Sequence, residues 1–173
     1  MKVALTSILG FGLLIAVAAS PSIAADDPAL FIQKAIGINL EEIQLGQLAQ
    51  ERAESEGVRQ YGAMPVNDHT ANNAKATALA NSLGAQVPGA PSAKAQQTYQ
   101  ELSGAAPDQF DEAFVSVMLL GHQTAIDLFT AQVEGGGDEQ VAQYASDTLP
   151  GLKAHLDEAR DLQNDLVGAT APQ

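Results

Sequence analysis

Apolar side chains beyond about residue 25 recur every three or four positions, with polar side chains between them. This spacing is typical of amphipathic helices, in which one stripe of the surface faces a core. Runs of β-branched residues, which would indicate strands, are absent from the same part of the chain. Alanine and glutamine, which favour helices, are abundant. The pattern therefore predicts an all-α protein.

Four long helical segments follow from this periodicity and from the glycine and proline residues that interrupt it. They cover residues 28–55, 58–83, 107–134 and 138–167. The connection between the second and third segments is rich in proline and glycine, and a short helix is expected within it, over residues 92–102. Two helical hairpins joined by such a long crossover are typical of a four-helix bundle with ferritin-like connectivity.

Three positions inside the long segments predict interruptions. Asn39, which is followed by two glutamates, has the pattern of a helix start, so we expect the first segment to re-initiate there. Pro65 and Pro150 lie inside the second and fourth segments, and an interior proline kinks or divides a helix because it lacks a backbone N–H. Beyond residue 167 the sequence predicts a frayed tail.

One polar residue lies at the centre of each predicted apolar face when positions are placed about 100° apart around a helix. At about 1.5 Å per residue these four residues lie at similar heights, with the last offset by roughly one turn. They are therefore expected to meet near the middle of the bundle. They are Glu42, His69, His122 and His155, which include every histidine of the sequence. Their apolar companions are Phe31, Ala35, Ile38, Leu45, Gly46, Ala49 and Ala53; Val58, Gly62, Val66, Ala76, Ala80 and Leu83; Val115, Met118, Ala125, Ile126, Phe129 and Val133; and Val141, Tyr144, Leu152, Ala159, Leu162 and Leu166.

A carboxylate buried among apolar side chains is costly unless it is paired or bound to a metal. Glu42 and three imidazoles would supply four N and O ligands, which suit a transition-metal ion such as Zn, Cu, Fe or Mn. The alternative is a buried hydrogen-bond network without metal, in which Glu42 pairs with a protonated histidine. Asp68 and Asp111, near His69 and His122, could be additional ligands or could support a histidine ligand from behind, but ordinary helix-surface charge is the favoured interpretation of both.

The first two dozen residues have the parts of a secretory signal peptide. A lysine precedes an apolar run over residues 3–19, and Ser22 and Ala24 fit the small-x-small rule for cleavage. We therefore expect a signal peptide over residues 1–24 and one bundle domain over residues 25–173. A retained membrane anchor is the alternative, but the run is short for a span of about 20 residues. Because no cysteine follows the run, a lipoprotein is excluded.

Composition narrows the function classes. The formal net charge of −13 argues against nucleic-acid binding. The absence of cysteine excludes disulfides, thiolate metal ligands and thiol catalysis. The sequence has no phosphate-binding loop, dinucleotide motif or nucleophile elbow, and no transmembrane span is expected after signal-peptide cleavage. Catalytic residues and organic cofactors are therefore not predicted, and enzymatic activity is not favoured.

Four segments resemble the bacterial family called domain of unknown function 4142, in the family's order. The most specific elements are an Asp-His pair, a His-Gln pair and a Leu-Pro-x-Leu-x-x-His motif. The resemblance implies a ferritin-like helical bundle, of a kind often labelled exported or outer-membrane. The segments are residues 39–49, 58–69, 121–129 and 149–156. The family's Glu, Asp-His, His and His positions match Glu42, Asp68-His69, His122 and His155.

The sequence departs from ferritin-like chemistry at the positions where a di-iron bundle has carboxylates. Such a bundle places a Glu-x-x-His pair on each of two helices, whereas Val66 and Leu152 stand three residues before His69 and His155. Pro65 also occupies a position that the family usually fills with a larger apolar residue. A mononuclear or purely structural site is therefore expected instead of the usual ferroxidase centre.

These features favour a periplasmic four-helix bundle that binds a transition-metal ion through the four inward residues, in a storage, carrier or stress-related role. The competing interpretation is a non-catalytic envelope module, structural or interacting with a partner, whose Glu and His residues form a polar network without metal. A third class, a metal-dependent oxidoreductase, would require an open coordination position and a channel to it.

Overall fold

In the computed structural model the described residues are 26–170, and they form five α-helices and no strands. The all-α expectation is thus confirmed. The predicted signal peptide lies outside the described residues, as does the end of the tail. The helices are α1 (Pro28–Arg52), α2 (Glu56–Ser82), α3 (Ala93–Gly104), α4 (Pro107–Gly135) and α5 (Glu139–Thr170).

Polar side chains fix where four of these helices begin. Asp27, Ser55 and Ser92 accept hydrogen bonds from backbone amides in the first turns of α1, α2 and α3. Asp138 does the same for α5. Each cap satisfies amides that have no partner inside the helix. α4 begins instead with Pro107, whose missing N–H and fixed φ suit the first helical position.

The interruptions predicted inside the long segments do not divide them. α1 runs unbroken through Asn39, which is buried in the middle of the helix rather than capping a new one. α2 and α5 likewise continue through Pro65 and Pro150. Pro65 is itself buried, so packing of its ring offsets part of the roughly 3 kcal/mol that an interior proline costs. The predicted crossover helix is present as α3, and it extends past residue 102 to Gly104.

The four long helices pack mainly as α1 against α2 and α4 against α5, and these pairs meet through α2 with α5 and α1 with α4. Two glycines allow α1 and α2 to approach closely. A Cβ atom on Gly62 would lie 2.8 Å from the Gly46 carbonyl oxygen and 2.8 Å from the Ala49 Cβ. Since real Cβ contacts are essentially never this short, the approach depends on glycine at this position.

The interior consists of two apolar clusters with a polar layer between them. One cluster includes Phe31 and Phe129, and the other includes Leu45 and Phe114. Along each long helix, one position with a buried carboxyl or imidazole side chain lies at the boundary between the two clusters or within one turn of it. These positions are Glu42, His69, His122 and His155, all of them buried.

Most of the residues predicted to line the apolar faces are buried. The prediction for Val133 is wrong, because its side chain is 38% exposed while Ala131 and Gln132 take the buried positions in the last turns of α4. A few residues are only half-buried because they lie at the margins of the faces. They are Ile38, Val66, Leu83, Leu162 and Leu166.

Within the described residues, α4 is the one helix that is long and apolar enough to cross a membrane by length and composition. Its most apolar window has a mean hydropathy of 1.3. Core helices of soluble proteins have the same properties, and α4 contributes His122 and several aromatic side chains to the interior. This composition is therefore weak evidence for a membrane span.

Candidate metal centre

The polar layer brings together one residue from each long helix. Glu42 is 5% exposed, His69 3%, His122 1% and His155 3%. The histidine rings contact one another. The ring centroids are 6.0 Å apart for His69 and His122, 5.3 Å apart for His122 and His155, and 5.4 Å apart for His69 and His155. Three imidazoles that lie this close in an apolar interior require partners for six ring nitrogens.

His69 is oriented by an amide on α1. Its Nδ1 lies 2.8 Å from Oδ1 of Asn39, and because an amide oxygen only accepts, Nδ1–H is the donor. The second ring nitrogen, Nε2, therefore carries the lone pair. It is buried and has no hydrogen-bond partner. The packing of α1 against α2 thus leaves one imidazole lone pair unsatisfied in the interior.

His122 is oriented by its own helix. Its Nδ1–H donates to the carbonyl oxygen of Met118 across 2.9 Å, so Nε2 carries the lone pair. This Nε2 lies 3.3 Å from Nδ1 of His155 on the neighbouring helix. The backbone of α4 therefore aims the ring toward α5.

His155 is oriented by Asp68. Its Nε2–H donates to Oδ2 of Asp68 across 3.0 Å, so the Nδ1 that faces His122 carries the lone pair. The side chain of Asp68 is 64% exposed, which fits the surface charge expected from the sequence. The interpretation of Asp68 as nothing more than a surface charge is wrong, however, because its carboxylate fixes the tautomer of a buried histidine.

The three histidines thus bring ring nitrogens into one small volume. One ring nitrogen of each lies within 4.8 Å of those of the other two. A tetrahedral metal with imidazole nitrogens at about 2.0–2.1 Å holds two of them about 3.3–3.4 Å apart. The 3.3 Å separation between His122 and His155 matches that value. The other ring nitrogen of each histidine, its outer nitrogen, donates a hydrogen bond to an oxygen. Hydrogen bonds of this kind orient histidine ligands in metalloproteins.

Burial keeps these imidazoles in the form that binds metals. Desolvation, with smaller contributions from His122 and His155, lowers the pKa of His69 to about 3. Desolvation also lowers the pKa of His122 to about 4, although the hydrogen bond to the Met118 carbonyl acts in the opposite direction. Both rings are therefore neutral near pH 7, and neutral imidazole is the coordinating form.

Glu42, the fourth residue of the predicted ligand set, lies beside the cluster rather than in it. Its Oε1 is 3.9 Å from Nδ1 of His122, on the side of the ring that faces away from His155, and its Oε2 is buried without a partner. Burial, with the nearby Glu41 charge, raises the pKa of Glu42 to about 8. A Cβ on Gly121 would approach Oε1 to 3.3 Å, so that glycine leaves room for the carboxyl group.

A chain of polar side chains continues outward from His69. Asn72 donates to Oδ1 of Asn39 across 3.4 Å, and Thr148 donates to Oδ1 of Asn72 across 3.3 Å. Helical periodicity does not identify these residues, because an amide or hydroxyl at a helix margin has no distinctive sequence pattern. The interior position of Asn39, in line with Glu42 at i+3, was the one available signal.

Asp111, the other carboxylate near the histidines in the sequence, has a structural role. Its two oxygens accept hydrogen bonds from the backbone amides of Glu54 and Ser55, at 3.2 and 2.7 Å. It thereby links α4 to the turn between α1 and α2. The expectation that it is not a ligand agrees with this position, but it is not a free surface charge.

A groove between α2 and α5 leads from the surface to the histidines. It has a volume of about 930 Å³ and is lined by both His69 and His155, with Asp68, Asn72, Tyr144 and Thr148 nearby. His122 does not line it, so it lies on the far side of the cluster from the groove. Two of the three imidazoles thus border the groove, although both are buried.

The helices and this centre define an all-helical protein with a buried trihistidine cluster. The family model described as Domain of unknown function (DUF4142) matches residues 14–162 of the chain. Because this match covers most of the sequence, the protein belongs to that family, and the resemblance drawn from the sequence motifs is confirmed. Searches of the curated proteins and of the solved structures gave no match.

Proposed function

We propose that this protein is an exported, periplasmic four-helix bundle with ferritin-like connectivity that binds one transition-metal ion through His69, His122 and His155. Storage, transport or stress-related handling of the metal is the role that suits a centre without a catalytic residue of its own. Export rests on the signal-peptide pattern of residues 1–24. The bundle rests on the packing of four long helices around one polar layer.

The observation that carries the metal proposal is the convergence of three imidazole lone pairs. Each outer N–H donates to an oxygen, so Nε2 of His69, Nε2 of His122 and Nδ1 of His155 carry lone pairs, and the last two atoms lie 3.3 Å apart. Lone pairs held together in an apolar interior are unfavourable unless a cation or a proton lies between them. Three nitrogen donors suit Zn, Cu, Fe or Mn in the divalent state better than Ca or Mg, which prefer oxygen ligands.

Glu42 enters the proposal as a neighbour of His122. A divalent ion bound at Nε2 would favour ionisation of the carboxyl group, because an opposite charge nearby stabilises the carboxylate. Glu42 would then offset charge at the centre from behind a ligand. Its inclusion among the direct ligands, as predicted from the sequence, requires a rearrangement of its side chain and stays a prediction.

The second candidate function is an envelope structural or interaction module with a metal-free polar network. One observation favours it: if His155 carried a second proton, it would donate to both Asp68 and Nε2 of His122, and both contacts are short enough. That network still leaves Nε2 of His69 without a partner. A metal ion satisfies all three rings, which is why we prefer the metal-binding function.

Calorimetric titration of the metal-stripped mature protein with Zn²⁺ tests the proposal. We expect one site per chain with micromolar or tighter affinity, and an increase in melting temperature because the ion binds only the folded state. His122→Asn removes a ligand from a site that offers no replacement, so its affinity should be sharply lower. Gln123→Asn, at the exposed next position, is the matched control and should bind as the wild type does. Absence of saturable binding to the wild type would favour the metal-free network.

A further inference from the structure

The groove between α2 and α5 borders the trihistidine centre. His69 and His155 line the groove, whereas His122 does not. His122 is fully buried, as is Met118, whose carbonyl oxygen accepts a hydrogen bond from the His122 Nδ1–H. A metal held by the three rings therefore faces protein on one side and the groove on the other.

Three histidine ligands do not complete the coordination of a transition-metal ion. Tetrahedral sites have four ligands, and a site with three protein ligands keeps the fourth position for an exogenous molecule. The three ligands here are neutral imidazoles, so they leave the charge of a divalent ion uncompensated. An anionic donor at the fourth position is therefore favoured over a neutral one.

The wall of the groove beside the centre is suited to a small polar ligand. Tyr144 as a whole is 8% exposed. Its hydroxyl group lies close to Asn39, Asn72 and Thr148, but it is buried without a hydrogen bond of good geometry. Buried hydroxyl groups nearly always have a partner. A bound molecule that reaches from the metal along the groove would provide one.

We infer that the metal keeps one exchangeable coordination position on the groove side, and that a small anion of the carboxylate class binds there by displacing water. The inference rests on the proposed metal binding by His69, His122 and His155. It adds that the centre is open, so that a ligand from solvent reaches it through the groove between α2 and α5.

Gly151 provides a way to close the groove without touching a ligand. It lines the groove one helical turn before His155, and a Cβ atom placed on it meets nothing within 4 Å. Residues at i and i+4 lie on the same face of a helix, and helical side chains lean toward the N-terminus, so a leucine here would fill the groove one turn before the histidine. The substitution also replaces glycine by a better helix former. Gly37, another helical glycine whose Cβ would meet nothing within 4 Å, is outside the groove and serves as the control.

The experiment uses the Co²⁺-loaded mature protein, because the visible bands of cobalt report its ligands. Titration with sodium azide should change these bands saturably, and acetate should compete with azide. Gly151→Leu should bind Co²⁺ but weaken azide binding by about tenfold or more, since the new side chain excludes the anion. Gly37→Leu should match the wild type in both titrations. If Gly151→Leu does not fold, Ala71→Leu on the opposite wall of the groove supplies the same obstruction.

The possible outcomes separate the two proposals. If Co²⁺ binds and azide leaves the spectrum unchanged, the open position is refuted and the metal site stands. If azide binds equally to the wild type and to the groove-filled variants, the ligand does not enter through this groove and the inference is wrong. If Co²⁺ does not bind at all, both the metal site and the open position are refuted.

Discussion

Each imidazole of the centre has an oxygen acceptor on its outer nitrogen, and only one of these acceptors is a charged side chain. Asn39 and the Met118 carbonyl orient two rings, while Asp68 orients His155. A carboxylate on the outer nitrogen fixes the tautomer of a ligand and increases its basicity. Asp68 is therefore the residue whose contribution to metal binding is easiest to separate from folding, because it is largely exposed.

Asp68→Asn should weaken metal affinity by about 10–100-fold, the usual effect of losing the carboxylate that is hydrogen-bonded to a histidine ligand. The melting temperature of the metal-free protein should change little, since the side chain is exposed. Calorimetric titration with Zn²⁺ measures the affinity. Asp127→Asn, at an exposed aspartate on α4 that accepts a hydrogen bond from Gln123, is the control. Equal affinities for the two variants would show that Asp68 does not support the site.

Glu42 predicts a pH dependence of stability in the metal-free protein. Its pKa rises from 4.5 to about 8 on folding because burial disfavours the charged form. Between these values the folded protein retains a proton that the unfolded chain has released, so the free energy of unfolding decreases as pH rises. Glu42→Gln cannot ionise and should avoid this loss.

Urea unfolding of the wild type and Glu42→Gln at pH 5 and pH 8 measures the effect. The two proteins should be similar at pH 5, and the wild type should be the less stable one at pH 8. Because Glu42→Gln removes only the carboxyl group, the pH-dependent part of the difference between the two proteins reports the loss of that group. A difference that does not change with pH would mean that the carboxyl group is ionised in the folded state.

At this scale the sequence predicts which side chains are buried better than it predicts their contacts. Helical periodicity places Glu42 and the histidines on apolar faces, because burial depends mainly on angular position around a helix. It does not identify Asn39 or Asp68 as partners, since these contacts depend on side-chain conformations and on the distance between two helices.

Among the helices, the contact between α1 and α2 depends on backbone rather than side-chain complementarity. Gly46 and Gly62 face each other, and a Cβ on Gly46 would lie 2.5 Å from the Gly62 carbonyl oxygen. This approach positions Asn39 on α1 within hydrogen-bonding distance of His69 on α2. Close packing of this hairpin is thus part of the construction of the site.

Gly62→Ala should destabilise the protein by about 1–3 kcal/mol, because the added methyl group forces two backbones apart. Gly37→Ala, where a Cβ meets nothing within 4 Å, should instead stabilise it by about 0.5–1 kcal/mol through its greater helix propensity. Chemical denaturation of the metal-free proteins measures both. A Gly62→Ala variant that is as stable as the wild type, or more stable, would contradict the close approach of α1 and α2.

Helix positions and ends are largely predictable here, because caps and turn glycines mark them locally. Ser92 and Asp138 cap the helices that follow them, as their positions in the sequence suggest. Asn39 has the same local pattern as a cap and yet lies within α1. The surrounding apolar residues pack in two clusters along that helix, and tertiary packing overrides the local preference.

In the whole molecule, one polar layer separates two apolar clusters. The sequence predicts this layer because its residues are at similar distances from the turns of their hairpins. Heights along a helix follow from the rise of about 1.5 Å per residue, whereas the relative rotation of the helices does not. This difference explains why the sequence predicts the polar layer. It also explains why the sequence does not predict that Glu42 lies beside the three histidines and not among them.

Export is a property of the whole chain and has its own test. Because the signal-peptide pattern favours cleavage after Ala24, the intact mass of protein released by osmotic shock should correspond to a chain that begins at Ala25 or Asp26. Uncleaved protein beginning at Met1 and retained in the inner membrane would contradict export into the periplasm.

X-ray absorption at the zinc edge, on metal-stripped protein loaded with one equivalent of Zn²⁺, tests whether the three histidines bind a metal ion. We expect three imidazole nitrogens at about 2.0–2.1 Å, with one further light-atom ligand. The triple variant His69→Asn, His122→Asn and His155→Asn should lose this signature. An all-oxygen shell like that of the hydrated ion in the wild type would contradict metal binding at this centre.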